Sequence, residues 1–196
     1  MARLTRAESQ ARTREQLIET AKELFLRDGY TVTSLEKVAD EAGYSKGAVY
    51  SNFRNKDELC LAALDRIHDE QVSMIAETLV GAEGMEGLLT AFQEWAERSI
   101  GDVAWTALEV EFATNARHSP HVRAELAARD KAIRDTIAGL LTDYAERFEI
   151  TLPMSADDAA TALLSLGIGL GVRRAIDPSI PVSVLPDVIR LFAGVR

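Results

Sequence analysis

Cysteine is nearly absent from this 196-residue chain, where Cys60 stands alone. A lone thiol closes no internal bridge, so a disulfide framework is excluded. A long apolar run is missing too. The longest stretch free of charged or strongly polar groups, Ala162 to Val172, is interrupted by Ser165 and falls far short of the ~20 residues that cross a bilayer. The opening MARLTRAESQ carries no apolar core of the kind a secretory signal needs, and a cytoplasmic location is expected. Marks of catalysis are as scarce. There is no G-x-S-x-G elbow, no P-loop, no G-x-G-x-x-G after a strand and no paired His near the sole Cys. Asp157 and Asp158 are adjacent, point to different helix faces and make a poor acid/base dyad. His118 and His121 flank Pro120 and find no Cys or further His to complete a tetrahedral set. No enzyme activity, cofactor or metal site is expected. Repeats, low-complexity segments and strand-like alternation are lacking as well.

What is present is an ordinary globular balance, 47% hydrophobic and 27% charged, which excludes a disordered tail. A chain of this length buries roughly 70% of its unfolded surface and needs no covalent staple. The net charge of −9 and a pI near 4.9 argue by themselves against a nucleic-acid partner. The average hides an asymmetry. Residues 1–60 hold 10 Lys/Arg against 10 Asp/Glu, while residues 61–196 hold 12 against 21. In the first 14 residues Arg3, Arg6, Arg12 and Arg14 face only Glu8, so residues 1–11 read as a flexible basic arm and the N-terminal third must be read separately.

The fold reads as all-α. Leu17, Ile18, Ala21, Leu24 and Phe25 form the stripe of an amphipathic helix that ends near Gly29. Thr33-Ser34-Leu35-Glu36 is read as a capping box, with Thr33 as the N-cap of a second, short helix through Leu35, Val38, Ala39 and Ala42. Gly43 supplies the turn, and Ser45 caps a third short helix with Val49 and Phe53 at i and i+4. Two short helices joined by a tight Gly-containing turn, over about 34–53, are the signature of a helix-turn-helix. Asn55-Lys56-Asp57-Glu58 caps a long fourth helix toward Thr78. Gly81, Gly84 and Gly87 punctuate the chain, and further helices are expected at about 87–100, 103–116, 120–149, 156–174 and 182–194, with Pro120, Pro153, Pro178 and Pro181 at the breaks.

A helix-turn-helix presents the N-terminal residues of its second helix to the major groove. Here those are Lys46, Gly47 and Ala48, small enough apart from Lys46 for close backbone approach. Direct base hydrogen bonds are then few, and Lys46, Tyr50 and groove shape carry part of any specificity. Thr33, Ser34, Ser45, Tyr50, Asn52 and Lys56 supply phosphate-sized hydrogen-bonding groups around it.

The segment Gly29-Tyr30-x-x-Thr33-Ser34-Leu35-x-x-Val38-Ala39-x-x-Ala42-Gly43-Tyr44-Ser45-Lys46-Gly47-Ala48-Val49-Tyr50-x-x-Phe53-x-x-Lys56-x-x-Leu59 closely resembles the DNA-binding domain of the tetracycline-repressor (TetR) family of bacterial transcriptional regulators, over roughly residues 12–70. The resemblance implies an all-α homodimer on a double-stranded DNA operator, in which Tyr50 and Lys56 hold phosphates while Ser45 to Ala48, with Lys37, face the groove. The family often has an aromatic residue or His where Asn52 stands. It also implies that residues 71–196 form a ligand-binding and dimerisation domain for a small-molecule effector, so that the chain is a repressor released by that effector; a corepressor-dependent regulator or an activator is the alternative.

In that region Met74, Met85, Phe92, Trp95, Trp105 and Phe112 supply large apolar surface suited to a pocket, and the same residues at helical spacing also suit a plain core. The acidic balance favours a cationic or neutral ligand. Small residues Ala159, Ala162, Ser165, Gly167, Gly169 and Gly171 with leucines over 156–174, and Val184, Leu185, Val188, Ile189, Leu191 and Phe192 over 182–194, make the last two helices the expected dimer interface. Cys60 reads as a buried small hydrophobe, His68 as a surface residue, and Arg173-Arg174 as a solvated last helical turn.

Overall fold

The computed structural model describes residues 5–79 and 82–193; Arg3, Gly81 and residue 194 lie outside them. Among the described residues there are nine helices and no strand: α1 (Arg6–Asp28), α2 (Leu35–Glu41), α3 (Lys46–Asn52), α4 (Lys56–Leu79), α5 (Gly84–Ser99), α6 (Val103–Ala116), α7 (Pro120–Arg147), α8 (Ala156–Ile176) and α9 (Val184–Ala193). Caps explain most of the boundaries. Ser45 Oγ accepts from Ala48 N at 3.2 Å, Asn55 Oδ1 from Glu58 N at 2.8 Å, and Ser155 Oγ from Asp158 N at 3.1 Å. Gly43, at φ 71°, takes the left-handed conformation that reverses the chain after α2.

Three starts differ from the sequence reading, and one of them is α5, which begins at Gly84 rather than near 87. α1 begins at Arg6, because Thr5 and Glu8 form a complete capping box; residues 6–11 are its first turns rather than a flexible arm. At α2 the cap is Ser34, whose Oγ accepts from Lys37 N at 3.1 Å. Thr33 is 1% exposed and donates its hydroxyl to Gly29 O at 2.8 Å. With the cap moved on by one residue, the third helical position is Lys37 and the Thr33–Glu36 box does not form.

The chain divides into two compact units. The head comprises residues 5–70 together with Ala107–Val122, so that α6 from Ala107 onward and the start of α7 join it although they lie well beyond residue 70 in sequence. Its core is Leu17, Ala21, Leu24 and Phe25 of α1, Leu35, Val38 and Ala39 of α2, Val49, Phe53, Leu59, Cys60, Ala63 and Leu64, with Leu108 and Phe112 from α6. Each large apolar side chain so buried contributes ~1.5–3 kcal/mol. In the other unit Ala96, Leu170, Val182 and Leu185 form a core against which Phe92, Trp95, Ile100, Leu166 and Ile180 pack. Arg174 is not solvated there: its Nε donates to Ile100 O at 2.9 Å and its Nη1 to Ile180 O.

Candidate nucleic-acid interface

α3 has seven residues and buries one of them, Val49. Ser45, Lys46, Gly47 and Tyr50 are exposed, Ala48 half so. With 3.6 residues per turn, burying position 49 turns 47 and 50 away from the head, and Lys46, in the open first turn, is exposed beside them. The helix is therefore fastened by its back and presents its N-terminal residues and Tyr50. Tyr50 leans on α2, its hydroxyl donating to Glu36 Oε1 at 3.2 Å. Glu36's own backbone N–H, then the Tyr50 hydroxyl, hold its carboxyl below the usual range.

The remaining expected contacts separate. Ser34, at the α2 N-cap, is exposed, and Thr33 is buried, so the hydroxyl of Thr33 is not available to a phosphate. That hydroxyl is used inside the head, on Gly29 O. Lys37 Nζ pairs with Asp28 Oδ2 at 3.0 Å; hydrogen bonds from Arg27 and then Lys37 pull the Asp28 carboxyl down to about 2. Asn52 is half-buried and folds back on its own helix, donating Nδ2 to Ala48 O at 2.8 Å, while its backbone carbonyl accepts from Arg14 Nη1 at 2.6 Å. The Arg14 guanidinium lies 4.1 Å from the Phe53 ring centroid.

Lys56 is engaged within the head. Its Nζ donates to Tyr30 O at 2.9 Å and Thr31 O at 3.3 Å and sits 4.1 Å from the Tyr30 ring centroid. Tyr30 in turn donates its hydroxyl to Asp57 and packs edge-on to Phe112, 5.0 Å between centroids. Burial, then the Asp57 carboxylate, pushes the Tyr30 phenol well above its ordinary value. Burial also pushes the Cys60 thiol up, leaving it a thiol.

Sequence reasoning missed Glu36, Asp28, Arg14 and Glu111, which hold the interface residues or the turn beneath them. Glu36 lies 14 residues from Tyr50, and Glu111 80 or more from its partners. No local spacing rule reaches so far.

The expected pocket residues fall into two groups. Phe112 is 1% exposed in the head core against Tyr30, away from the C-terminal unit in which the sequence reading expects it to line a pocket, because α6 from Ala107 onward belongs to the head. Phe92 and Trp95 pack together, 5.4 Å between ring centroids, on the core of the C-terminal unit. Met85 and Trp105 are half-buried, and Met74 is exposed with its Sδ 3.9 Å from Ser99 Oγ. Trp95 Nε1 and Gln71 Oε1 are buried there without a hydrogen-bond partner. A groove of about 460 Å³ is lined by Thr78, Glu86, Thr90, Ala91 and Glu94. None of the six expected residues lines it. His68 is half-buried and pairs with Glu109 Oε1 at 2.9 Å. Among the described residues no cluster of three or more His, Cys, Asp or Glu could hold a metal ion.

Comparison with known proteins agrees with this geometry. Residues 17–63 match the bacterial regulatory proteins of the tetR family, and residues 84–190 match the C-terminal domain of BetI-type transcriptional repressors. The nicotine-responsive transcriptional repressor HdnoR of Paenarthrobacter nicotinovorans is 29% identical over 170 residues, 86% of either chain. A TetR-family regulator from Rhodococcus sp. superposes with a TM-score of 0.78 at 20% identity, covering 93% of this chain and 99% of that one. A transcriptional regulator from Saccharomonospora viridis, solved in complex with choline, gives 0.70 at 21% identity, covering 94% and 96%. At these identities the solved structures bear on the fold, which they share. With a head built around a helix-turn-helix and a separate helical domain matched over more than half the chain, the protein belongs to the TetR family and is a DNA-binding transcriptional regulator.

Proposed function

We propose that the chain is a homodimeric repressor that holds a pseudo-palindromic operator and is released by a small-molecule effector bound within residues 71–196. The observation that carries the DNA half is α3, buried only at Val49 and exposed at Ser45, Lys46, Gly47 and Tyr50. Lys46 and the small Gly47 and Ala48 meet the groove floor; Ser34, Ser45 and Tyr50 meet phosphates. Lys37 and Asn52 stand at the margin, already hydrogen-bonded within the head, and Lys56 supports the head instead of contacting the backbone of DNA directly.

Dimerisation is assigned to α8 and α9. Ile168 is 52% exposed, Val184 40% and Leu191 76%, and the apolar middle of α8, between its acidic first turn and its basic last turn, is largely unburied. An apolar helix left open in this way fits a second copy, and two-fold symmetry then sets two α3 helices about 34 Å apart. The function is binding, in the cytoplasm, and no catalysis is assigned.

For the effector, the acid surplus of residues 61–196, 12 basic against 21 acidic, supports a cationic or neutral compound. The nicotine response of HdnoR and the choline found in the Saccharomonospora regulator point the same way. Release then follows only if the effector binds the DNA-free arrangement more tightly than the DNA-bound one. The test is recovery of sheared genomic fragments by the purified protein at near-physiological salt, with Lys46→Ala/Tyr50→Ala as control, followed by titration of a recovered fragment complex with nicotine and with choline. Enrichment of pseudo-palindromic sites, lost in the control, is expected. Uniform recovery of all sequences would overturn a specific regulator, and tighter binding with amine would replace release by corepression.

A further inference from the structure

The turn between α1 and α2 is held by a carboxylate from a distant helix. Glu111 of α6 accepts from Tyr30 N through Oε2 at 2.7 Å and from Thr31 N through Oε1 at 2.8 Å. The carbonyls of the same two residues accept from Lys56 of α4. All four backbone groups of Tyr30 and Thr31 are thus used, between an anion on one side and a cation on the other. Gly29 completes the fit: it sits at φ 88°, and a Cβ there would come within 2.9 Å of Glu111 Oε2. The glycine leaves the room in which the carboxylate reaches the next two amides.

From this turn the chain enters α2 directly. Thr33 ties back to Gly29 O, Ser34 caps α2, and Glu36 of α2 holds Tyr50 of α3. α6 otherwise meets the rest of the head through the buried apolar side chains of Leu108, Phe112 and Ala116 and through Glu109, which pairs with His68 of α4. Apolar contact has no directional preference, whereas paired N–H···O bonds fix both distance and angle. Glu111, with two bonds to one turn, is therefore the contact through which α6 fixes the turn between α1 and α2.

We propose that Glu111 is a positioning residue for operator binding: by gripping the Tyr30 and Thr31 amides it sets the orientation from which α2 and then α3 are presented to DNA. This rests on the DNA-binding reading above. Glu111 touches no groove-facing group, so its effect on affinity passes through the turn.

The test compares Glu111→Ala and Glu111→Gln with Glu109→Gln, which removes the same charge two residues away on α6 but touches His68 instead of the turn. Two quantities are read: affinity for a genomic fragment recovered by the wild-type protein, and amide exchange at Tyr30 and Thr31 relative to the buried α1 residues Leu24 and Phe25. Glu111→Ala is expected to speed exchange at Tyr30 and Thr31 by about tenfold or more and to weaken fragment binding by about tenfold, the loss of roughly one charge-assisted bond. Leu24 and Phe25 stay protected, and the salt dependence of binding is unchanged. Glu111→Gln keeps one acceptor oxygen, sets its NH₂ against an N–H and falls between. Glu109→Gln matches wild type in both. Should Glu111→Ala not fold, Glu111→Gln carries the test. Wild-type affinity in the Glu111 variants overturns the proposal, as does a loss that only tracks lowered protection of Leu24 and Phe25. Failure of the wild type to select any fragment would instead refute the DNA-binding reading, while the exchange arm still reports whether Glu111 holds the turn.

Discussion

Replacing Lys56 by Met separates two roles that a lysine at this position can have. Met keeps most of the stem and removes the ammonium. In the structure that ammonium donates to Tyr30 O and Thr31 O and lies over the Tyr30 ring. Two bonds from a charged donor at a half-exposed position contribute together ~2 kcal/mol. The ring contact adds about 0.5 kcal/mol at such exposure. Loss of both, partly offset by water at the freed carbonyls, leaves roughly 2 kcal/mol of destabilisation, which for a chain of this size lowers the melting temperature by about 4–8 °C. The assay pairs thermal unfolding with binding to a selected operator fragment across a salt series. A phosphate ligand contributes about 0.9 to the slope of log K against log salt for each phosphate it neutralises. Lys56→Met is expected to lower the melting temperature as stated and to leave the slope within error of wild type. An unchanged melting temperature with a slope reduced by about 0.9 would refute the reasoning and make Lys56 a backbone contact after all.

Phe112→Ala removes a ring that is 1% exposed in the head and is expected to cost ~3–5 kcal/mol of stability, seen as earlier unfolding in denaturant; a well-folded variant with altered effector response alone would put Phe112 in a ligand site. For acid stability the relevant group is Glu111. Its burial by itself raises the pKa, but hydrogen bonds from Thr31 and Tyr30 and the Lys56 charge outweigh it, so the folded value lies below the ordinary 4.5. A lowered folded pKa contributes stability that is full above 4.5 and is lost as pH falls through the folded value; the wild-type advantage over Glu111→Gln should shrink on acidification below that point, and a pH-independent difference contradicts it. Ile168→Asp together with Leu191→Asp is expected to convert a dimer into a monomer in light scattering, with operator affinity falling as the second half-site contact is lost; a dimer that survives both changes removes α8 and α9 from the interface.

Much of this architecture could be read from short-range chemistry. The caps Ser45 and Asn55, the glycine at 43 and the apolar stripe of α1 each act over a few residues, and the helices that the two caps predict, α3 and α4, start where expected. Even the missed start of α1 was present locally, in Thr5 and Glu8, but the basic residues around them read as an arm. Thr33 and Ser34 show the limit of the same logic. Both can cap a helix, and burial of Thr33 against Gly29 O chose between them. Charge was no better guide to Lys56 or Arg174, because each finds backbone carbonyls brought close only by folding.

Local sequence therefore settles where most of the helices begin, which pair forms the reading motif and which face of α3 stays out, since capping bonds and a 3.6-residue period operate within one or two turns. Tertiary structure alone decides that Phe112 fills the head core, that Thr33 is spent inside it, and that Glu111 reaches the Tyr30 and Thr31 amides. The first and last of these depend on α6 arriving beside a turn some 80 residues earlier in the chain, a meeting in which Leu108, Phe112 and Ala116 are buried and which leaves no periodic mark in the sequence.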